Sequence, residues 1–129
     1  MVAMPRPLTG LVVDDDRGVR RAVAQTLESA GYQAIEAGSE AEAIEVVTFH
    51  PVHFSILDVH IRSDDGLEVL AALRRELEMV LPVIFMSGAF TPEIVARAQG
   101  LGAYRCLDKP LDIRSLMQAV ETLINIENL

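Results

Sequence analysis

The sequence predicts one α/β domain in which five strands alternate with five helices around a buried parallel sheet. Three observations carry this. The chain has 129 residues, the size of one ordinary domain. Its short apolar runs do not alternate with polar residues, which marks strands covered on both faces. Each run is followed by a segment with helical apolar spacing. Strand–helix alternation implies a parallel sheet sandwiched by helices, and right-handed crossovers make it doubly wound.

The elements follow in order. Residues 8–13 are an apolar run ending in three aspartates. Residues 17–30 carry Val19, Ala22, Val23, Leu27 and Ala30 at helical spacing, and Gly31 stands where a helix C-terminus favours glycine. Residues 32–36 form a short strand. Ser39 and Glu42 have the spacing of a capping box, opening a helix that Pro51 stops. Residues 52–57 are the third strand, ending at Asp58. Residues 63–66, Ser-Asp-Asp-Gly, are turn chemistry before a helix with Leu67, Leu70, Leu73 and Leu77 on one side. Residues 82–86 are the fourth strand. Thr91, Pro92 and Glu93 supply a cap, a first-turn proline and a first-turn acid. That helix ends near Gly100 and Gly102. Residues 103–107 are the fifth strand, and Asp112 caps a last helix carrying Ile113, Leu116, Val120, Leu123 and Ile124.

Composition narrows the function. Half the residues are hydrophobic and the net charge is −8, which argues against nucleic-acid binding by this domain itself, since phosphate contacts need a basic patch. The longest apolar stretch, residues 79–86, is far short of the ~20 residues that span a membrane. The one cysteine, Cys106, excludes an internal disulfide and fits a reducing, cytoplasmic setting. The first ten residues have no long apolar stretch and do not read as a secretory signal. Residues 1–7, with Pro5 and Pro7, read as a loose tail before a domain at 8–127.

The chemistry collects at strand ends. In an open parallel sheet, ligands bind beyond the carboxyl ends of the strands, at the switch in strand order. Asp14, Asp15 and Asp16 follow the first strand, Asp58 ends the third, Ser87 follows the fourth and Lys109 the fifth. In the flavodoxin-like order 2-1-3-4-5, the first and third strands are neighbours, and Asp14, Asp15 and Asp58 converge. Asp16 then serves as the helix cap. Convergent carboxylates repel unless a cation joins them. Mg2+ suits such an oxygen site and keeps coordination for water and phosphate. A lysine and a hydroxyl opposite complete the parts that phosphoryl transfer needs.

On these residues the chain resembles the receiver domain of bacterial two-component response regulators. The matching motifs are LVVDDD at 11–16, SILDVHIRSDDG at 55–66, VIFMSG at 83–88 and GAYRCLDKPL at 102–111. The resemblance implies that Asp58 accepts a phosphoryl group from a sensor histidine kinase or phosphotransfer protein. It implies Mg2+ held by Asp14, Asp15, Asp58 and the backbone carbonyl of His60. Ser87 and Lys109 would bind the phosphoryl group, and the Lys109–Pro110 bond would be cis. The conformational change would then control a downstream effector. A homodimer through the fourth and fifth helices is compatible with the resemblance but does not follow from the residues.

Three positions depart from the family pattern. Ile61 and Arg62 stand where Met-Pro or a close equivalent is usual, which frees the loop before Gly66. Cys106 replaces the aromatic residue of the switch. Tyr104, two residues earlier in the same strand, is expected to share its face by period-2 alternation and is a candidate to substitute as the switch residue. Ser87 replaces the commoner threonine. Two rival readings are a receiver-like interaction module that is not phosphorylated and a Mg2+-dependent aspartyl phosphatase. The second wants an aspartate where His60 stands. The arginines at 17, 20, 21 and 62 read as solvated, and His50, His53 and His60 as structural or surface residues.

Overall fold

The computed structural model describes residues 7–62 and 64–129 and contains the expected alternation, with one addition. In chain order the elements are β1 (Thr9–Val13), α1 (Arg17–Ser29), β2 (Gln33–Ala37), α2 (Glu40–Phe49) and β3 (Phe54–Asp58). A miniature pair follows, β4 (His60–Ile61) and β5 (Asp64–Asp65). The chain continues through α3 (Gly66–Leu77), β6 (Val83–Ser87), α4 (Pro92–Gly100), β7 (Arg105–Asp108) and α5 (Ile113–Ile126). The main sheet has five strands in the order β2-β1-β3-β6-β7, every pair parallel. This is the predicted 2-1-3-4-5 order, which makes β1 and β3 neighbours.

The apolar runs fail to alternate because the core lies on both sides of the sheet. Leu11, Val13, Leu57, Val83 and Phe85 face one layer, closed by Ala43, Val47, Leu67, Leu70, Leu73 and Ala98 from α2, α3 and α4. Val12, Phe54, Ile56, Ile84 and Met86 face the other, closed by Val23, Leu27, Leu116, Val120 and Leu123 from α1 and α5. Phe54 also meets Tyr32 edge to face, with ring centroids 5.8 Å apart. Each fully buried side chain of this size contributes about 1.5–3 kcal/mol. The two layers together hold the strand ends that carry the polar residues.

The helix starts follow the predicted caps at four helices, and Asp65, read from sequence only as part of a turn, caps the remaining one. Asp16, Ser39, Asp65, Thr91 and Asp112 each accept a hydrogen bond from a first-turn backbone N–H. Glu42 reaches back to the N–H of Gly38 at 2.8 Å rather than to that of Ser39, so the box is one residue wider than a standard one. Gly31 has φ +95°, as its place after α1 requires.

Four expectations need correction. Residues 63–66 do not form a simple turn. His60 and Ile61 pair antiparallel with Asp65 and Asp64, and Arg62 sits in the left-handed region at φ 53°. Strands of two residues are too short for any periodicity to reveal. Ser63 of the predicted turn and residues 1–6 of the predicted tail lie outside the described residues. Ile113 is 63% exposed rather than on the buried stripe of α5, because the first turn of that helix lies at the surface and its burial starts at Leu116. Tyr104 and Cys106 do not share a face. Cys106 packs against the layer containing Phe85, and Tyr104 against the opposite layer containing Leu107 and Leu116. Tyr104 lies before β7 begins, so strand alternation does not reach it. The arginines at 20 and 21 are not merely solvated: both pair with Glu36.

Candidate functional site

β1 and β3 pair in register from Gly10 and Phe54 to Val13 and Leu57. Their carboxyl ends therefore finish side by side. Asp14 follows one and Asp58 ends the other. Asp14, Asp15 and Asp58 each present a carboxylate oxygen within 4.8 Å of the others. Asp14 and Asp58 are buried, at 0% and 5% exposure. Two anions so placed repel strongly in a low-dielectric setting. Lys109, delivered by the end of β7, answers that repulsion. Its Nζ donates to Asp14 Oδ2 at 2.7 Å and to Asp58 Oδ2 at 2.8 Å.

The remaining oxygens are held by backbone donors. The N–H of Asp16 donates to Asp14 Oδ1 at 2.9 Å and the N–H of His60 to Asp58 Oδ1 at 3.2 Å. The N–H of Arg62 donates to Asp15 Oδ2 at 3.2 Å. A proline at position 62 would have neither that N–H nor a positive φ. The departure from the usual motif thus ties the β4–β5 pair to an acid of the site. Burial holds the Asp14 carboxyl above the usual carboxylate range, helped by Asp58 and opposed by Lys109 and the Asp16 N–H. Burial acts to lower the Lys109 ammonium, but its bonds to Asp14 and Asp58 outweigh that and leave it above its ordinary value.

Three carboxylates with hard oxygen donors fit Mg2+, and the lysine already bridging two of them shows that the pocket calls for positive charge. Ser87 ends β6 fully buried, with its Oγ accepting from the N–H of Ala89 at 3.0 Å. Its carbonyl receives the N–H of Lys109 at 2.9 Å, which ties the hydroxyl and lysine strands together at the site. The Lys109–Pro110 peptide is cis. Gly66 opens α3 directly beneath the site. A Cβ there would run into the Asp58 carbonyl oxygen and lie 2.9 Å from the Cα of Val59. Only glycine lets α3 start so close to the end of β3.

The site also touches its surroundings. Asp65 caps α3 through its bond to the Leu67 N–H and pairs with Arg97 of α4 at 3.0 Å. Burial would raise the Asp65 carboxyl, but the Leu67 N–H and Arg97 bring it below the usual range. Burial pushes the Cys106 thiol up, with Asp108 adding to it. Arg20 also reaches the site, a contact that sequence reasoning missed. It sits one helical turn beyond the Asp16 cap and donates to the Asp14 carbonyl at 2.8 Å. An arginine six residues after an acid is an everyday pattern, so its spacing carried no signal.

Comparison with known proteins places these residues in context. Residues 11–121 match the family model described as the response regulator receiver domain. The chain is 30% identical over 124 residues to the transcriptional regulatory protein PdtaR of Mycobacterium tuberculosis, covering 95% of this chain and 58% of that protein. It is 27% identical over 118 residues to sporulation initiation phosphotransferase F of Bacillus subtilis, covering 92% and 94% of the two chains. Among solved structures, the chemotaxis protein CheY4 of Vibrio cholerae superposes with a TM-score of 0.83 at 25% identity, covering 92% and 99%. The chain thus spans less than two thirds of the mycobacterial relative and nearly all of the other two. Among the described residues, no helix is long and apolar enough to cross a membrane.

Proposed function

The chain belongs to the response regulator receiver domain family, a family of signalling domains, and we propose on that premise that it is a phosphorylation switch with Asp58 as phosphoacceptor. The observation that carries this reading is the convergence of Asp14, Asp15 and Asp58 with Lys109 at one sheet edge. A carboxylate oxygen of Asp58 attacks the phosphorus of a kinase phosphohistidine. The P–N bond breaks, a P–O bond forms, and the imidazole leaves and takes up a proton. Water later attacks the same phosphorus, releasing phosphate and restoring the carboxylate.

Asp14, Asp15 and Asp58, with the carbonyl of His60, would hold Mg2+. When bound, the ion neutralises charge on the phosphoryl oxygens. Lys109 pairs with the phosphoryl group in place of one of its present carboxylates, keeping an ammonium beside the new charge. Ser87 gives up its bond from Ala89 and donates its hydroxyl to a phosphoryl oxygen. The added charge of about −1.5 to −2 at pH 7 shifts a two-state surface that a downstream effector reads. The kinase or phosphotransfer protein and the effector are its partners, and its setting is the cytoplasm.

The experiment is to incubate the protein with Mg2+ and acetyl phosphate and measure its intact mass. One added phosphoryl group is expected, absent in Asp58→Asn and absent without the metal. No addition, even from a phosphohistidine donor, would leave a receiver-like interaction module that is not phosphorylated.

A further inference from the structure

We infer that Arg20 is a positioning residue for the acidic pocket, holding the bent peptide between Asp14 and Asp15 so that both carboxylates meet Asp58. The inference rests on reading that pocket as the Mg2+ site. Successive side chains of an extended strand point to opposite faces. Asp14 and Asp15 are consecutive, yet both offer oxygens to one cluster. The chain must therefore leave the strand conformation between them, and β1 does end at Val13. The carbonyl of Asp14 belongs to the peptide that joins these two acids.

Arg20 holds that carbonyl. Helix side chains lean toward their own N-terminus, so a residue in the first turns of α1 reaches back over the loop before it. Arg20 Nη1 donates to the Asp14 oxygen at 2.8 Å, and its Nε donates to Glu36 Oε1 at 3.1 Å. The pair is largely buried, with side chains 18% and 21% exposed. Gly38 makes room, since a Cβ there would sit 3.1 Å from Arg20 Nη1. One guanidinium thus joins the end of β1 to β2 and lies close beside Gly38 in the loop before α2. Glu36 in turn aims the arginine, and Arg21 pairs with Glu36 without touching the Asp14 carbonyl.

The sign of the effect separates positioning from charge. A cation near a metal site repels the metal, so simple charge removal would tighten Mg2+ binding. Loss of positioning would weaken it. Calorimetric titration of the full chain with Mg2+, at matched ionic strength, reads the difference. Arg20→Gln is expected to raise the Kd about tenfold, the lower end for partners that orient metal ligands. Arg20→Lys keeps the charge but not the two-pronged donor geometry, and is expected to lose affinity as well. Arg21→Gln is expected to stay within about twofold, because it loses only a partly exposed ion pair.

Wild-type or tighter affinity in Arg20→Gln would overturn the inference. If that variant fails to fold, as read by circular dichroism, Arg20→Lys carries the same test. An equal loss in Arg21→Gln would also overturn it, by showing that any charge paired to Glu36 suffices. A wild-type chain that binds no Mg2+, or an Asp15→Asn variant that binds as well as wild type, would overturn the metal-site reading and the inference with it.

Discussion

The two halves of the sheet edge are built differently. At the ends of β1 and β3, every acid is engaged: Asp14 and Asp58 share Lys109, and backbone N–H groups of residues 16, 60 and 62 fill further oxygens. At the ends of β6 and β7 the arrangement is sparer. Ser87 is turned onto its own loop, Cys106 is a small half-buried side chain, and Tyr104 packs on the opposite layer. The acidic half is preorganised, which is what charge chemistry requires. The half that would report the change departs from the family's aromatic switch. The difference separates what a charge site needs from what a readout needs: the first needs fixed oxygens, the second only two alternative packings.

Lys109→Ala should break the comparison most strongly, since Lys109 hydrogen-bonds to both buried acids of the other half. It leaves two buried carboxylates unpaired, and the metal-free protein is expected to lose about 3 kcal/mol, read by urea unfolding. Mg2+ should restore most of that loss and bind at least as tightly as to wild type. A partner's response to acetyl phosphate should vanish although Asp58 is still phosphorylated; an unchanged response would sink the role given to Lys109.

Gly66→Ala comes next, because it presses on the Asp58 carbonyl from below. Overpacking of this kind costs about 1–3 kcal/mol, and here it should also slow phosphorylation at saturating Mg2+. A variant with wild-type stability would show that α3 can shift without disturbing the acidic half.

The pH dependence sharpens the comparison with smaller effects. Asp14 is raised in the folded state, so its contribution to stability is present at acid pH and lost as pH rises through its folded value. Asp65 is lowered, so its contribution is present above its unfolded value and lost as pH falls through the folded one. Unfolding of the metal-free protein from neutral pH down through the carboxylate range should show opposite trends. Relative to wild type, Asp14→Asn should lose ground as pH falls, and Asp65→Asn should gain it. Asn retains the α3 cap, which leaves the Arg97 ion pair as the difference.

The smallest expected effect is that of Tyr104→Phe. The ring belongs to the α1–α5 layer and its removed hydroxyl has no hydrogen-bond partner among the described residues. Stability should stay within about 0.5 kcal/mol, and phosphorylation and partner response should be unchanged. A lost response would return Tyr104 to the switch from the other side of the sheet.

Much of the architecture was legible because its signals are local. Non-alternating runs announced strands buried on both faces, helical spacing announced the helices, and Asp16, Thr91 and Asp112 announced their caps. The acids at 14, 15 and 58 were legible because they end or directly follow apolar strands, and the lysine at 109 because it stands before Pro110 just after the fifth strand. Two-residue strands have no period, so the β4–β5 pair was not legible. Nor was the face of Tyr104, since alternation holds only within a strand and β7 starts one residue later.

The sequence by itself determined the fold class, by way of hydrophobic period and crossover handedness, and the set of polar residues at the carboxyl edge, because period and chain chirality act over a few residues; the strand order was read from the flavodoxin-like pattern that fold class commonly takes. The tertiary structure alone decided which partners those residues take. The bond from Arg62 to Asp15 spans 47 positions, that from Lys109 to Asp14 spans 95, and Arg20 reaches the Asp14 carbonyl only because α1 folds back over the end of β1. Such contacts depend on where whole elements pack, and no local pattern in the chain encodes them.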